Sequence, residues 1–137
     1  MDDAARIQRH VFDRLVAEAC ASTNLECCGL LAGRGGVISV ILPAKNALLS
    51  ATAYEIAPEE LFALFRRMRC EGMEHLGIYH SHPSGENSPS ALDLERAFYP
   101  DAAYLIISPI PNTPRPIRAF RIIEGRAREL SLQIVPS

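Results

Sequence analysis

The sequence contains no tryptophan and a single lysine, Lys45. It also contains no apolar run near the ~18 residues that a membrane-spanning helix requires, so no membrane partner is expected. The opening Met1-Asp2-Asp3 is acidic and lacks the basic-then-apolar layout of a signal peptide. A cytoplasmic location is the default expectation. Neither sign of charge dominates: 14 basic residues against 16 acidic ones leave a formal net charge of −2. That balance gives no electrostatic footprint for nucleic acid. The arginines are scattered, and the Arg66-Arg67-Met68-Arg69 run reads as the solvated face of a helix. Cys20, Cys27, Cys28 and Cys70 form no Cys-x-x-Cys pair, which removes the thiol-based metal and redox motifs. A chain of 137 residues needs no covalent staples, so these cysteines are expected as free, buried thiols.

What is present is a globular mix, 48% apolar and 22% charged, which excludes disorder. With no repeat, low-complexity stretch or linker, residues 1–137 are expected to form a single domain. Ile7, Val11 and Leu15, with Phe12, Val16 and Ala19 beside them, predict an amphipathic helix over about residues 4–21. Residues 28–32 read as a strand, Gly33-Arg34-Gly35-Gly36 as a turn, and residues 37–42 as the partner strand of a hairpin. Residues 52–56 suggest another strand. Pro58, Glu59 and Glu60 suit a helix start, and Gly72 suits its stop. A strand is expected over residues 76–82, a loop over 84–89 and a helix over about 90–98. Strands at 103–108, 117–123 and 129–135 complete an α+β pattern, layered α/β/α, in which a mixed β-sheet is flanked by helices.

The chemistry concentrates in His80-Ser81-His82-Pro83, followed by Ser90 and Asp93. Side chains two apart on a strand share a face, so His80 and His82 can converge. The loop after Pro83 can return Asp93, in the first turn of a helix, to the same point. Two neutral imidazoles and one carboxylate are a three-ligand set that leaves tetrahedral zinc one open position, the mark of a catalytic site. A competing reading is purely structural. Ser90-Ala91-Leu92-Asp93 also matches a capping box, and a carboxylate engaged in the cap is not expected to bind metal at the same time. His10 and His75 are expected at surface or boundary positions, and Cys28 as a core thiol. Tyr54 and Glu55 are candidates for the edge of the cleft.

The spacing His80-x-His82-Pro83-x6-Ser90-x2-Asp93 resembles the signature of the JAMM (MPN+) zinc metallopeptidases. Their upstream glutamate, set just before a Cys-Gly step, has its counterpart in Glu26-Cys27-Cys28-Gly29. The resemblance implies that His80, His82 and Asp93 bind Zn2+. It further implies that Glu26 acts as general base and that Ser90 helps stabilise the oxyanion. Members of this family cut peptide or isopeptide bonds after the tail of ubiquitin or a ubiquitin-like protein. Only 53 residues separate Glu26 from His80 and 44 follow Asp93, which leaves little room for the insertions of the eukaryotic deubiquitinases. The chain is similar to the short prokaryotic stand-alone members, which implies a sulfur-carrier protein with a Gly-Gly terminus as substrate. A general deubiquitinase-like isopeptidase and a non-catalytic zinc module that docks ubiquitin-like proteins are the alternatives.

Other His-x-His folds fail on residues. A cupin needs a further histidine downstream, and none follows His82; a metallo-β-lactamase-like site wants an aspartate where Ser84 stands. A zinc deaminase wants Pro-Cys-x-x-Cys, which is absent. An amidohydrolase barrel requires about 250 residues. The loop over residues 84–89 is expected to lie beside the metal and to shape access to the leaving-group side, with Gly85 permitting movement.

Overall fold

The computed structural model describes residues 4–137, and the acidic Met1–Asp3 stretch lies outside the described residues. The chain is α+β: among the described residues seven strands form one mixed sheet, with three helices packed against it. In chain order these are β1 (Ala4–Gln8), α1 (Arg9–Cys20), β2 (Cys28–Arg34), β3 (Val37–Ala44), α2 (Pro58–Cys70), β4 (Glu74–Ser81), α3 (Ala91–Glu95), β5 (Ala103–Ile107), β6 (Ile117–Ile123) and β7 (Arg126–Val135). The strand order is β1-β3-β2-β4-β5-β6-β7, and the sheet closes on itself because β1 pairs in parallel with both β3 and β7. β4 and β5 are also parallel; the remaining pairs are antiparallel.

Three elements depart from the sequence expectation. Residues 4–8 are a strand rather than the first turns of a helix. Ala5 and Ile7 point into the core while Arg6 is exposed, a period-2 pattern that Ile7, Val11 and Leu15 disguised as helical spacing. Pairing on both sides supplies β1 with ladder hydrogen bonds that an isolated N-terminal helix turn would not match. Residues 52–56 form no strand; they belong to a loop organised by side-chain hydrogen bonds. α3 stops at Glu95 instead of running to about residue 98, because the chain turns away before Pro100 and the Tyr99 N–H donates to Tyr104 Oη at 3.1 Å.

The sheet is buried on both faces. On one side Val11, Leu15 and Ala19 of α1 join Ile7, Leu31, Tyr79, Leu105 and Leu130. On the other, Leu30, Ile78, Ile106 and Phe120 pack with Met68 of α2. Alternate residues of single strands, such as Leu30 and Leu31, therefore serve opposite cores. All four cysteines are free thiols, but only Cys28 is buried; Cys20 and Cys70 are exposed and Cys27 is partly so. Both exposed cysteines sit in the last turn of a helix on its wet side, which corrects the expectation of four buried thiols. Among the described residues no helix is long and apolar enough to cross a membrane.

If β1 is what closes the sheet, Ile7, fully buried and registered against Ile38 on one side and Ile134 on the other, carries much of that closure. Ile7→Ala is expected to destabilise the fold by about 2–5 kcal/mol, read from urea unfolding, whereas the same change at a solvated helix position should cost well under that.

Candidate metal centre

The site is built by strand register. Antiparallel pairing of β2 with β4 sets Cys28 opposite His80. The ladder continues one step further, with Ser81 N–H donating to Cys27 O at 3.0 Å and Cys27 N–H donating to Ser81 Oγ at 2.9 Å. Glu26 thereby comes across from His82. His82 lies one residue beyond β4, yet its N–H donates to Ile107 O at 3.0 Å, so β5 holds it in line. His80 and His82 share a face, and both are buried together with Glu26.

Asp93 reaches this point from α3. His80 Nε2 and His82 Nε2 lie 3.0 Å apart, and Asp93 Oδ2 lies 3.1 Å from the first and 3.0 Å from the second. Glu26, His80 and His82 form an overlapping group whose ligand atoms all lie within 4.8 Å of one another. The four residues that the sequence singled out as ligands and base thus converge. Ser90 sits at the helix start, exposed, with its Oγ accepting from Asp93 N–H at 3.1 Å. The reciprocal bond, Ser90 N–H to Asp93 Oδ2 at 2.9 Å, completes the capping box. Cap and site were expected to compete for Asp93. In the structure Asp93 Oδ2 accepts the cap bond and faces both imidazoles at once, which the two lone pairs of a carboxylate oxygen permit.

Proton bookkeeping shows what the triangle of Nε2, Nε2 and Oδ2 demands. His82 Nδ1 is 2.5 Å from Glu86 O, and a carbonyl can only accept, so Nδ1 carries the ring proton and Nε2 of the neutral ring is a bare acceptor. With both rings neutral, three mutual contacts near 3 Å cannot all be hydrogen bonds, since only the proton of His80 remains. One central cation satisfies all three atoms at once. A tetrahedral site with metal–ligand distances of about 2.0–2.1 Å has ligand–ligand edges of about 3.3–3.4 Å, within a few tenths of an ångström of those here. The residues therefore fit a metal. The two imidazoles are pushed in opposite directions. Burial holds the His80 imidazolium off, lowering its pKa. Burial also works against protonating His82, but hydrogen bonds to Asp93 and to the Glu86 carbonyl outweigh it and raise its pKa. Burial of Asp93 is outweighed by its bonds to both histidines, which keep it well below the ordinary carboxylate range.

Glu26 differs. Its backbone is tied down, but its Oε1 is buried with no hydrogen-bond partner. Burial pushes the carboxyl up to about 7, with His82 opposing the shift and Asp93 adding to it. A carboxylate of that kind is suited to exchanging a proton near neutral pH. Tyr54 covers the other side of the site: its ring stacks on His80 with centroids 4.6 Å apart and planes at 24°. Tyr54 also lines a pocket of about 200 Å3, with Leu30, Ile78, Leu92 and Tyr104 as apolar wall and Asp93 and Arg96 at its edge. The loop over residues 84–89 abuts the site, but Gly85 is packed rather than open. Its φ is +94°, its N–H donates to His82 O at 2.8 Å, and a Cβ there would fall 2.5 Å from Ile110 Cγ1. Cys28 is a core thiol, pushed up to about 12 by burial. His10 is exposed, and His75 packs edge-on against Phe65 and Tyr99. Asn46, which no motif marked, proves to be the buried centre of the loop beside Glu26.

Comparison with known proteins places the chain in a family. The model for prokaryotic homologues of the JAB domain matches residues 8–123. A desampylase of Haloferax volcanii is 41% identical over 94 residues, 66% of this chain and 68% of that protein. A CysO-cysteine peptidase of Mycobacterium bovis is 31% identical over 131 residues, 94% of this chain and 90% of that protein. A protein from Desulfitobacterium hafniense, solved in solution, superposes with a TM-score of 0.85 at 30% identity, covering 96% of this chain and 93% of that one. The chain belongs to the family of prokaryotic homologues of the JAB domain and is a JAMM-type peptidase by class.

The raised Glu26 carboxyl has a consequence for the metal-free protein. Its folded-state pKa of about 7 lies above the ordinary 4.5, so the folded chain keeps a proton that the unfolded chain releases. Stability therefore falls as pH rises from 4.5 through 7. With metal chelated, Glu26→Gln is expected to be more stable than wild type at about pH 8 by on the order of 3 kcal/mol, with no advantage below about pH 4.5. Urea melts at the two ends of that range measure it.

Proposed function

We propose that this protein is a zinc-dependent isopeptidase that cuts after the C-terminal Gly-Gly tail of a ubiquitin-like protein, of the sulfur-carrier kind. The observation that carries the reading is the triangle of two imidazole nitrogens and one carboxylate oxygen beside a buried, unpartnered glutamate. His80, His82 and Asp93 are the zinc ligands in this reading. Zinc, when bound, supplies the Lewis acidity that brings the pKa of a water to about 7 and polarises a carbonyl. Glu26 takes the proton from the attacking water and returns it to the leaving nitrogen. Its raised pKa suits both directions of that transfer. Ser90 spends its oxygen lone pair on Asp93 N–H, so its hydroxyl proton remains available to the oxyanion of the scissile carbonyl. The Glu86 carbonyl fixes the His82 tautomer that presents Nε2 to the metal.

The substrate class rests on the named relatives, a desampylase and a CysO-cysteine peptidase. The apolar pocket beside Asp93 offers room for a side chain of an extended tail. Residues 1–137 are read as one JAMM domain.

Calorimetric zinc titration of the metal-stripped protein, with turnover of a Gly-Gly-tailed carrier fusion, tests the reading. Wild type and Glu26→Gln are each expected to bind one zinc tightly, and His82→Ala to lose at least tenfold in affinity. Glu26→Gln is expected to lose turnover on the order of 100-fold or more. Equal binding by His82→Ala would remove the metal site. Full function in Glu26→Gln would leave a zinc-stabilised docking module instead of an enzyme.

A further inference from the structure

Asn46 is buried, and its side chain makes five hydrogen bonds, every one of them to backbone. Its Nδ2 donates to Glu26 O at 3.1 Å, Ala53 O at 2.9 Å and Ser50 O at 3.3 Å. Its Oδ1 accepts from Leu48 N–H at 3.1 Å and Glu55 N–H at 3.2 Å. Donors face only carbonyls and the acceptor faces only amides, so the amide orientation is settled by its neighbours. The loop over residues 46–55 is wound about this one side chain. Ala47 N–H donating to Glu55 O at 2.8 Å closes its neck, and Leu49 takes a left-handed backbone (φ +49°) to complete the turn.

This loop grips both backbone groups of Glu26. Glu26 N–H donates to Ser50 O at 2.8 Å, and Glu26 O accepts from Asn46. Glu26 stands before β2 begins, so no sheet partner holds it there. Its side-chain Oε1 makes no bond that would fix it from the other end. The same loop delivers Tyr54 onto the ring of His80. A free carboxylate that must meet a water and then a leaving nitrogen depends on its backbone for aim, because displacement of about 1 Å at a reacting group costs on the order of 100-fold in rate.

We propose that Asn46 is the positioning residue for the base: it aims Glu26 through the backbone and, by folding residues 46–55, seats Tyr54 over His80. The claim rests on the assignment of Glu26 as general base. The test compares wild type with Asn46→Ala, Asn46→Asp and, as a stability-matched control, Leu130→Ala in the β7 core. Asn46→Asp keeps the acceptor for Leu48 and Glu55 but cannot donate to Glu26 O. Both Asn46 variants are expected to lower kcat roughly 10- to 100-fold with KM changed less than about threefold and zinc affinity retained. Leu130→Ala is expected to lose thermal stability while keeping kcat. In a Glu26→Gln background the Asn46→Ala change is expected to lower the residual rate far less than it lowers the wild-type rate, since its route through the base is removed. Amide hydrogen exchange at Glu26 is expected to speed up in both Asn46 variants relative to its β2 neighbours. A folded Asn46→Asp with wild-type kcat overturns the proposal. So does a loss of kcat in step with melting temperature that Leu130→Ala reproduces. If the wild-type protein turns over no carrier fusion, the peptidase reading fails by itself; unchanged Glu26 exchange in the Asn46 variants is what then defeats the positioning claim.

Discussion

The pairing of β2 with β4 is the constraint on which the site depends. One register, Cys28 opposite His80, puts Glu26, His80 and His82 at the same sheet end. A slip of one residue would turn both histidines to the other face, because side chains alternate along a strand. Several features hold that register. Ser81 is bonded twice to Cys27, and β4 is flanked by β2 and β5 with both faces buried. Gly29 also allows Leu42 O and the Tyr79 ring to come close, since a Cβ there would lie 2.5 Å from the first and 2.7 Å from the second. Tyr79 in turn donates to the Glu18 carboxylate, tying α1 to the strand that carries the histidines.

The electrostatics of the site follow from crowding acceptors in a region screened from water. Two ring nitrogens and a carboxylate oxygen at about 3 Å are mutually unfavourable unless a cation or an added proton lies between them. The opposing directions at His80 and His82 have different causes: burial lowers the first, while bonds to Asp93 and to the Glu86 carbonyl raise the second. Asp93 is held by the helix cap, so the carboxylate needs no reorganisation to face the imidazoles. Glu26 stands just outside this group, buried and without a partner, where the cost of ionisation favours a proton acceptor near neutral pH over a fixed anion.

The legible parts of the fold were those whose signal is local. Pro58 with Glu59 and Glu60 marked the start of α2, and the Gly-rich turn between β2 and β3 marked the hairpin. The strand carrying His80 was legible from its apolar run and its closing Pro83. What was not legible had a non-local cause. Residues 4–8 satisfy helical and strand periodicities alike, and only the open edges of β3 and β7, more than 25 residues away, decide between them. Residues 52–56 have the composition of a strand, yet the Asn46 amide occupies the Ala53 carbonyl and the Glu55 amide that a ladder would use. Asn46 itself gave no signal, because an asparagine after a strand most often marks an ordinary turn.

The sequence by itself determined the donor set: which imidazoles and carboxylates exist, their spacing of two residues along one strand, and the helix cap that carries Asp93. Those are matters of chain order and short-range geometry. Only the tertiary structure decided that Asp93 Oδ2 meets the helix cap and both imidazoles together, that Glu26 Oε1 is buried without a partner, and that one buried amide organises the loop between Glu26 and Tyr54. Each of these depends on burial and on contacts between segments distant in the chain, and burial is set by packing that no local pattern encodes.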